Sequence, residues 1–337
     1  MKQSKKRKWF SVGMAAVIAG FVLLAFFLIK GEIKSVVEGR DSAESGKHYV
    51  AVIAKSTTSA YWKSVFAGAN AAKTEYNLEI TQEGPEDEED WKTQNELIEQ
   101  AVANGAEAIV LSAVDYNNNV EAVNRAAQAG AKIVVIDSDV NSDMVSCRIS
   151  TDNYEAGRMV GEAVLDSTDQ AIYVGIVNFD EVSANGQQRE QGFRAAVEDD
   201  SRVTIIDAIN VNSNTESARE ATKNMLGQHP QINVIVTFNE WTSLGVGYAI
   251  QELELGEETK VIAFDSNVVS VGMLETGEVD ALIVQNPYAM GYLGIECAYH
   301  LINGHTLEQT EIDTTTTVVT RENMFDNEIQ RILFMFD

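Results

Sequence analysis

The residues best suited to chemistry in this 337-residue chain stand directly after short apolar runs. Lys55 to Ser59 follow Val50–Ile53, Asp137-Ser138-Asp139 follow Ile133–Ile136, and Asn178 to Asp180 follow Ile172–Val177. Asn239-Glu240, Asp265-Ser266-Asn267 and Gln285-Asn286 follow three later runs. Arg189 is the main nearby cation, and Tyr61, Trp62, Phe179, Phe238 and Trp241 stand beside these positions. Carboxylates and amides take paired hydroxyls in hydrogen bonds, and aromatic faces cover the C–H faces of a sugar ring. The mixture suits a neutral polyol better than a phosphate or a metal, and it calls for no cofactor.

Plainer roles compete for the same residues. Asp137 and Asp265 would serve equally as caps of following helices. Arg189 would serve as a surface ion-pair residue, Lys55 would reach solvent, and Tyr61 and Trp62 would be core. Asp137, Asp139 and Asn141 begin like a calcium loop, but Ser142 stands where the loop needs Gly and Arg148 where it needs Glu. The acidic run Glu86-Asp87-Glu88-Glu89-Asp90 precedes a helix expected from Trp91, and it reads as a solvated face at the positive end of that helix. His48, His229, His300 and His305 lack ligand spacing. The sequence carries no G-x-G-x-x-G, P-loop, G-x-S-x-G or H-E-x-x-H, so no enzyme activity is expected. Cys147 and Cys297 are either one long-range bridge or two free buried thiols.

These residues need a scaffold, and the pattern supplies one. Apolar, β-branched runs recur at Val50–Ile53, Ile109–Leu111, Ile133–Ile136, Ile172–Val177, Val203–Ile206, Val234–Val236, Val261–Phe264 and Leu282–Val284. Continuous runs of this kind fit strands buried on both faces. Amphipathic stretches lie between them: Val65, Ala69, Ala72 and Tyr76 share one helical stripe, Val120, Val123 and Ala127 another. The alternation predicts an α/β fold of right-handed βαβ units, in two parallel sheets rather than one. Ligands bind outside the carboxyl ends of such strands, which is where the polar residues stand.

Charge and the N-terminus bound the setting. Of 25 basic and 51 acidic residues, seven bases and one acid fall in residues 1–34, leaving 18 bases against 50 acids in the remainder. So acidic a body repels nucleic acid. Lys5, Lys6, Arg7 and Lys8 precede an uncharged apolar run, residues 9–29. As a helix it would be ~31 Å long, about the thickness of the hydrocarbon core. It ends without a good cleavage site, which favours an uncleaved signal anchor over a long cleaved signal peptide. Residues 1–8 would then be cytoplasmic, 30–47 a stalk, and the body extracellular or periplasmic.

Taken in order, the segments VAVIAKSTTSAYWKSVFAGANAA, KIVVIDSDV, ISTDNYEAGRMVGE, QREQGFRAAV, VTFNEWTSLGVGYAI, VIAFDSN and ALIVQNPYAMGYLG resemble the ribose-type periplasmic sugar-binding proteins, the solute receptors of carbohydrate ABC importers. The resemblance covers about residues 48–320. It implies two Rossmann-like lobes joined by three crossovers near Thr151-Asp152, Gln285-Asn286 and Thr314-Thr315. The N-terminal lobe would be 48–151 plus 286–314, the C-terminal lobe 152–285 plus 315–323, with a tail of 324–337. It implies ligand contacts from Lys55, Tyr61, Trp62, Asp137, Arg189, Asn239, Asp265 and Gln285 to a pentose or hexose. Three positions depart from the ribose receptors: Lys55 replaces a small polar residue, Ser138 an arginine, and Ser213 falls near an aromatic. Lys55, and Asp137 followed by Ser-Asp, are similar to receptors for furanosyl quorum signals. The implied partner is an ABC permease; the uncleaved anchor motivates a second role, sugar sensing for a membrane histidine kinase. In the tail, Ile329, Ile332, Leu333 and Phe336 are expected to pack against a lobe.

Overall fold

The computed structural model describes residues 46–333. The expected membrane helix at 9–29, the stalk up to residue 45, and Phe336 lie outside the described residues. Among the described residues, no helix is long and apolar enough to cross a membrane.

Two six-stranded sheets organise the body. The first contains β1 (Tyr49–Ile53), β2 (Glu79–Glu83), β3 (Ala108–Leu111), β4 (Lys132–Ile136), β5 (Cys147–Ser150) and β11 (Glu311–Asp313). Its order is β11-β5-β4-β3-β1-β2, with every pairing parallel. The second contains β6 (Ile172–Phe179), β7 (Val203–Val211), β8 (Val234–Thr237), β9 (Lys260–Phe264), β10 (Ala281–Val284) and β12 (Thr317–Thr320), in the order β12-β10-β9-β8-β6-β7. Here the expectation of wholly parallel sheets fails at one edge: β12 runs antiparallel to β10. β11 runs parallel in the first sheet and ends at that sheet's carboxyl edge, so the chain, three residues later, enters the second sheet from its carboxyl edge and runs against β10.

Helices cover both faces of each sheet. Around the first are α1 (Ala60–Glu75), α2 (Trp91–Ala103), α3 (Val120–Gln128) and α9 (Pro287–Ile302). Around the second are α4 (Asn153–Leu165), α5 (Ala184–Val197), α6 (Thr215–Gln228), α7 (Glu240–Leu253) and α8 (Val268–Thr276). Val50, Val52 and Ala54 join one core cluster while Ala51 and Ile53 join the cluster on the opposite face. Double burial is why these strands are apolar without interruption. A last helix, α10 (Asn327–Leu333), buries Leu333 with Ile329 and Ile332 against the second sheet's core, as expected of the tail.

The chain passes between the sheets after β5, after β10 and after β11. The passing segments are bonded to one another. Thr314 donates its N–H to the Ser150 carbonyl at 2.8 Å, Asp152 donates its N–H to Asp313 Oδ1 at 2.8 Å, and the Thr151 hydroxyl donates to Gln285 Oε1 at 2.9 Å.

One helix contact bears directly on the functional residues. α4 and α5 approach so closely that a Cβ on Gly157 would lie 2.0 Å from the Arg189 carbonyl oxygen, and one on Gly192 1.9 Å from that of Tyr154. Only glycine fits there. Gly157→Ala is expected to cost about 1–3 kcal/mol in equilibrium unfolding, the range of an overpacked core, and to displace Arg189. The control is Gly227→Ala in α6, where an added Cβ meets nothing within 4 Å; it is expected to stabilise by about 0.5–1 kcal/mol. Equal unfolding free energies for the parent and Gly157→Ala would overturn the close approach.

Candidate ligand-binding cleft

The carboxyl ends of both sheets face one cavity, placed where ligands bind in sheets of this kind. Lys55, Tyr61, Trp62, Asp137, Arg189, Asn239, Asp265 and Gln285, the eight residues named from the sequence, all line it.

Asp137 and Asp265 hold equivalent places in the two halves. Each is the first residue after a strand, β4 and β9, and each lies in the left-handed region, with φ of 57° and 65°. Aspartate tolerates this conformation better than most residues. The Asp137 N–H still donates to the Ile149 carbonyl at 3.0 Å and that of Asp265 to the Ile283 carbonyl at 2.9 Å. The chain thus turns sharply while the sheet's last hydrogen bond is kept. Neither residue is a helix cap, as the plainer expectation had it. α8 is capped by Asn267, and the chain runs from Asp137 to β5 without a helix. Asn239 does cap α7, in a reciprocal pair with Thr242, and keeps its amide N–H for Ser213 Oγ at 2.7 Å.

Arg189 is 1% exposed and is no surface ion-pair residue. Its Nε donates to Asn153 Oδ1 at 2.8 Å, Nη1 to the Phe238 carbonyl at 2.7 Å and Nη2 to Gln285 Oε1 at 2.7 Å. The guanidinium lies 4.3 Å from the Phe264 ring centre. All three acceptors are neutral, and a guanidinium has five N–H donors, so one remains on each Nη. Gln285 is fixed from both ends: Oε1 accepts from Arg189 and Thr151, and Nε2 donates to Asp265 Oδ1 at 2.7 Å. Among the described residues, Asp265 Oδ2 has no hydrogen-bond partner. Burial raises the Asp265 carboxyl to about 7, Arg189 opposing the rise.

Lys55 is buried rather than solvent-directed. Its Nζ donates to Ser183 Oγ at 2.8 Å and stands 5.3 Å from the Phe179 ring centre. The Tyr61 hydroxyl donates to Asp137 Oδ1 at 3.0 Å; Ser112 Oγ and Asn185 Nδ2 supply the carboxylate's other donors at 2.8 and 3.2 Å. Tyr61 and Trp62 pack edge to face at 5.0 Å, at once core and cavity wall.

Two carboxylates tie the halves together. Glu240, first residue of α7, accepts the N–H groups of Ala60 and Tyr61 at the start of α1, at 3.2 and 3.0 Å. Asn267 steadies it at 2.9 Å. Glu88 accepts Trp62 Nε1 at 2.7 Å from its own half and Ser213 Oγ at 2.8 Å from the other. The solvated-face expectation for the acidic run fails here: Glu88 is 8% exposed, and burial raises its carboxyl above the ordinary range. Asn178 corrects the sequence reading in the other direction. It turns away from the cavity and holds α5 through the Gly186 carbonyl and Glu190.

Glu88 and Asn185 were absent from the sequence-derived set. One buried acid among five consecutive acids has no signature of its own. Asn185 did have one: it precedes Arg189 by four residues, so the two share a helix face.

Comparison with known proteins follows the geometry. Residues 50–306 match the family model described as a periplasmic binding protein domain. The chain is similar to a D-ribose/D-allose-binding protein of Pseudomonas aeruginosa, 26% identical over 285 residues covering 81% of this chain and 89% of that protein. It is similar in structure to a carbohydrate transporter solute-binding protein of Agrobacterium radiobacter in complex with D-arabinose, with TM-score 0.83 and 28% identity over 86% of this chain and 99% of that one. An ABC transporter solute-binding protein of Agrobacterium vitis with bound D-fucose gives TM-score 0.81 and 28% identity over 85% and 100% of the two chains.

The raised Asp265 carboxyl has a thermodynamic sign. Its folded value, about 7, exceeds the unfolded value of ~3.9. Its stabilising contribution is therefore complete below pH ~4 and lost as pH rises through about 7. Thermal unfolding of ligand-free parent and Asp265→Asn between pH 4 and 8 is expected to show a steeper loss in the parent; parallel curves would refute the burial of an ionisable group there. Glu240→Ala is expected to raise the Kd of every bound saccharide by about tenfold, the worth of a lost charge-assisted bond. It should also lengthen the distance between fluorescent labels placed on the two halves of the ligand-free protein. An affinity loss confined to one saccharide would make Glu240 a ligand contact instead.

Proposed function

The chain belongs to the periplasmic binding protein family, in its ribose-type sugar-binding branch, and from that premise we propose that its body closes around one neutral monosaccharide outside the cytoplasm and presents it to an ABC permease. The supporting observation is the single cavity wall drawn from both halves. Lys55, Trp62 and Asp137 come from the first sheet's side, and Arg189, Asn239 and Asp265 from the second's. A ligand touching both sides favours the closed arrangement over any open one. The moving bodies are residues 48–151 plus 286–314 and 152–285 plus 315–323, turning about the bonded passing segments.

The chemistry of the wall argues for an uncharged ligand. Asp137, Asp265, Glu88 and Glu240 face only Lys55 and Arg189, so a phosphate would meet more negative than positive charge. A ring of hydroxyls instead uses what is left over: the free Asp265 oxygen, the remaining Arg189 and Lys55 donors, and the Trp62 and Phe179 faces. Binding and release involve no bond made or broken. Residues 9–29 would hold the body at the membrane, within reach of the permease; the same tether would serve a histidine-kinase partner, and the sugar-binding relatives place transport first.

A thermal-shift panel of D-ribose, D-allose, D-arabinose, D-fucose and furanosyl signals tests the proposal. A saccharide at a hundred times its Kd stabilises by about 2.7 kcal/mol, and at least one is expected to do so. For that saccharide, Asp265→Ala and Arg189→Ala should each weaken binding by about tenfold to a hundredfold in calorimetry. A panel without any shift would sink the function; parental affinity in both variants would sink the site.

A further inference from the structure

Two thiols outside the cleft are placed together without serving the cavity. Cys147 on β5 and Cys297 on α9 are both buried, and their Sγ atoms lie 3.6 Å apart. That is van der Waals contact for sulfur, with no atom between. A disulfide requires ~2.05 Å, a further approach of roughly 1.5 Å. The pair is also distinctive in topology. Between residues 147 and 297 the chain leaves the first sheet, builds β6 to β10, and returns. A bond between the two sulfurs would therefore join the outgoing strand to the returning helix and enclose five of the second sheet's strands in one covalent loop.

We propose that Cys147 and Cys297 form a structural disulfide in the exported protein, stapling the discontinuous first half at the base of two of its three passing segments. The inference rests on the body being outside the cytoplasm, where disulfides persist. It does not depend on which saccharide is bound. The oxidant is a dithiol–disulfide carrier. The thiolate of one cysteine attacks a carrier sulfur, breaking the carrier's S–S bond and releasing one carrier thiolate, which takes up the first cysteine's proton. The thiolate of the second cysteine then attacks the first cysteine's sulfur, forming the S–S bond and releasing the second carrier thiolate with the remaining proton. Two electrons pass from the cysteines to the carrier. Both sulfurs are covered in the finished fold, so the exchange precedes final packing of α9 on β5.

The test uses the full chain in detergent. One sample is purified without reductant; another is refolded from the reduced, denatured state in a mixture of oxidised and reduced glutathione. Each is unfolded in the presence of an alkylating maleimide and weighed by mass spectrometry. No maleimide adduct before reduction and two after reduction are expected in both samples, on a monomeric chain. Reduction should lower the melting temperature by on the order of 5–10 °C, and the Cys147→Ser/Cys297→Ser double variant should melt with the reduced parent. The D-arabinose response should be the same in oxidised and reduced protein. Two alkylated thiols after refolding in the glutathione mixture, or a disulfide-linked dimer, would overturn the proposal. A bridged chain that responds to no saccharide would sink the proposed function and leave the disulfide standing.

Discussion

The cleft depends on one buried cation held by neutral groups. Arg189 spends three donors on Asn153, the Phe238 carbonyl and Gln285, and stacks on Phe264. A guanidinium out of water without a paired carboxylate is costly unless its donors are satisfied. The fold satisfies three and leaves two for the cavity. Gln285 then carries the constraint across the molecule. Its carbonyl accepts from Arg189 and Thr151 while its amide donates to Asp265. The position of the second half's cation, the orientation of its carboxylate and one passing segment are therefore set by a single amide. That amide has one workable orientation, because Arg189 can only donate.

The electrostatics of the wall follow from the same economy. With four carboxylates and two cations buried together, not every carboxylate is equally served. Asp137 has three donors from its own surroundings. Asp265 has one, and burial pushes its carboxyl up to about 7. The poorly served oxygen is the one with most to gain from a ligand hydroxyl. A hydroxyl donor is neutral and brings its own aliphatic carbon to the aromatic walls, so a polyol can answer the deficit while also covering the apolar part of the wall.

Much of this was legible in the residue order, for a physical reason. Strands buried on both faces must be apolar throughout, so seven of them announced themselves, β7 being an edge strand named from Val203–Ile206 alone, and the residues after these strands had to lie at the sheets' carboxyl ends. The strands that were not named are those without that double burial. β2 (EITQE) is an edge strand with Glu79 exposed, and β5, β11 and β12 are three or four residues long with half or more of their side chains in or near solvent. The ligand-wall aspartates were legible by place but not by conformation, since nothing in a sequence marks a non-glycine residue at positive φ. Glu88 was hidden for another reason. Its burial comes from Trp62 on one half and Ser213 on the other, partners 26 and 125 residues away, and no local pattern encodes contacts made only when the halves meet.

That last class of contact divides the labour of the cleft. Glu240 on the α1 N-terminus, Glu88 on Ser213 and Lys55 on Ser183 all cross from one half to the other without a ligand atom. They stabilise closure whatever the cavity holds, and so add the same free energy to every ligand's binding. In the proposed binding mode, Asp265 Oδ2, the spare Arg189 and Lys55 donors and the aromatic faces meet a hydroxylated ring directly, so they discriminate between rings. A receptor built this way can change its sugar by altering the second set without disturbing its hinge. Of the two departures, Ser213 belongs to the first set and Lys55 to both. Each is engaged by the opposite half, Lys55 through Ser183 and Ser213 through Glu88. Their difference from the ribose receptors is thus first a difference in how the halves are latched, and at Lys55 it extends to the donors left for a ligand.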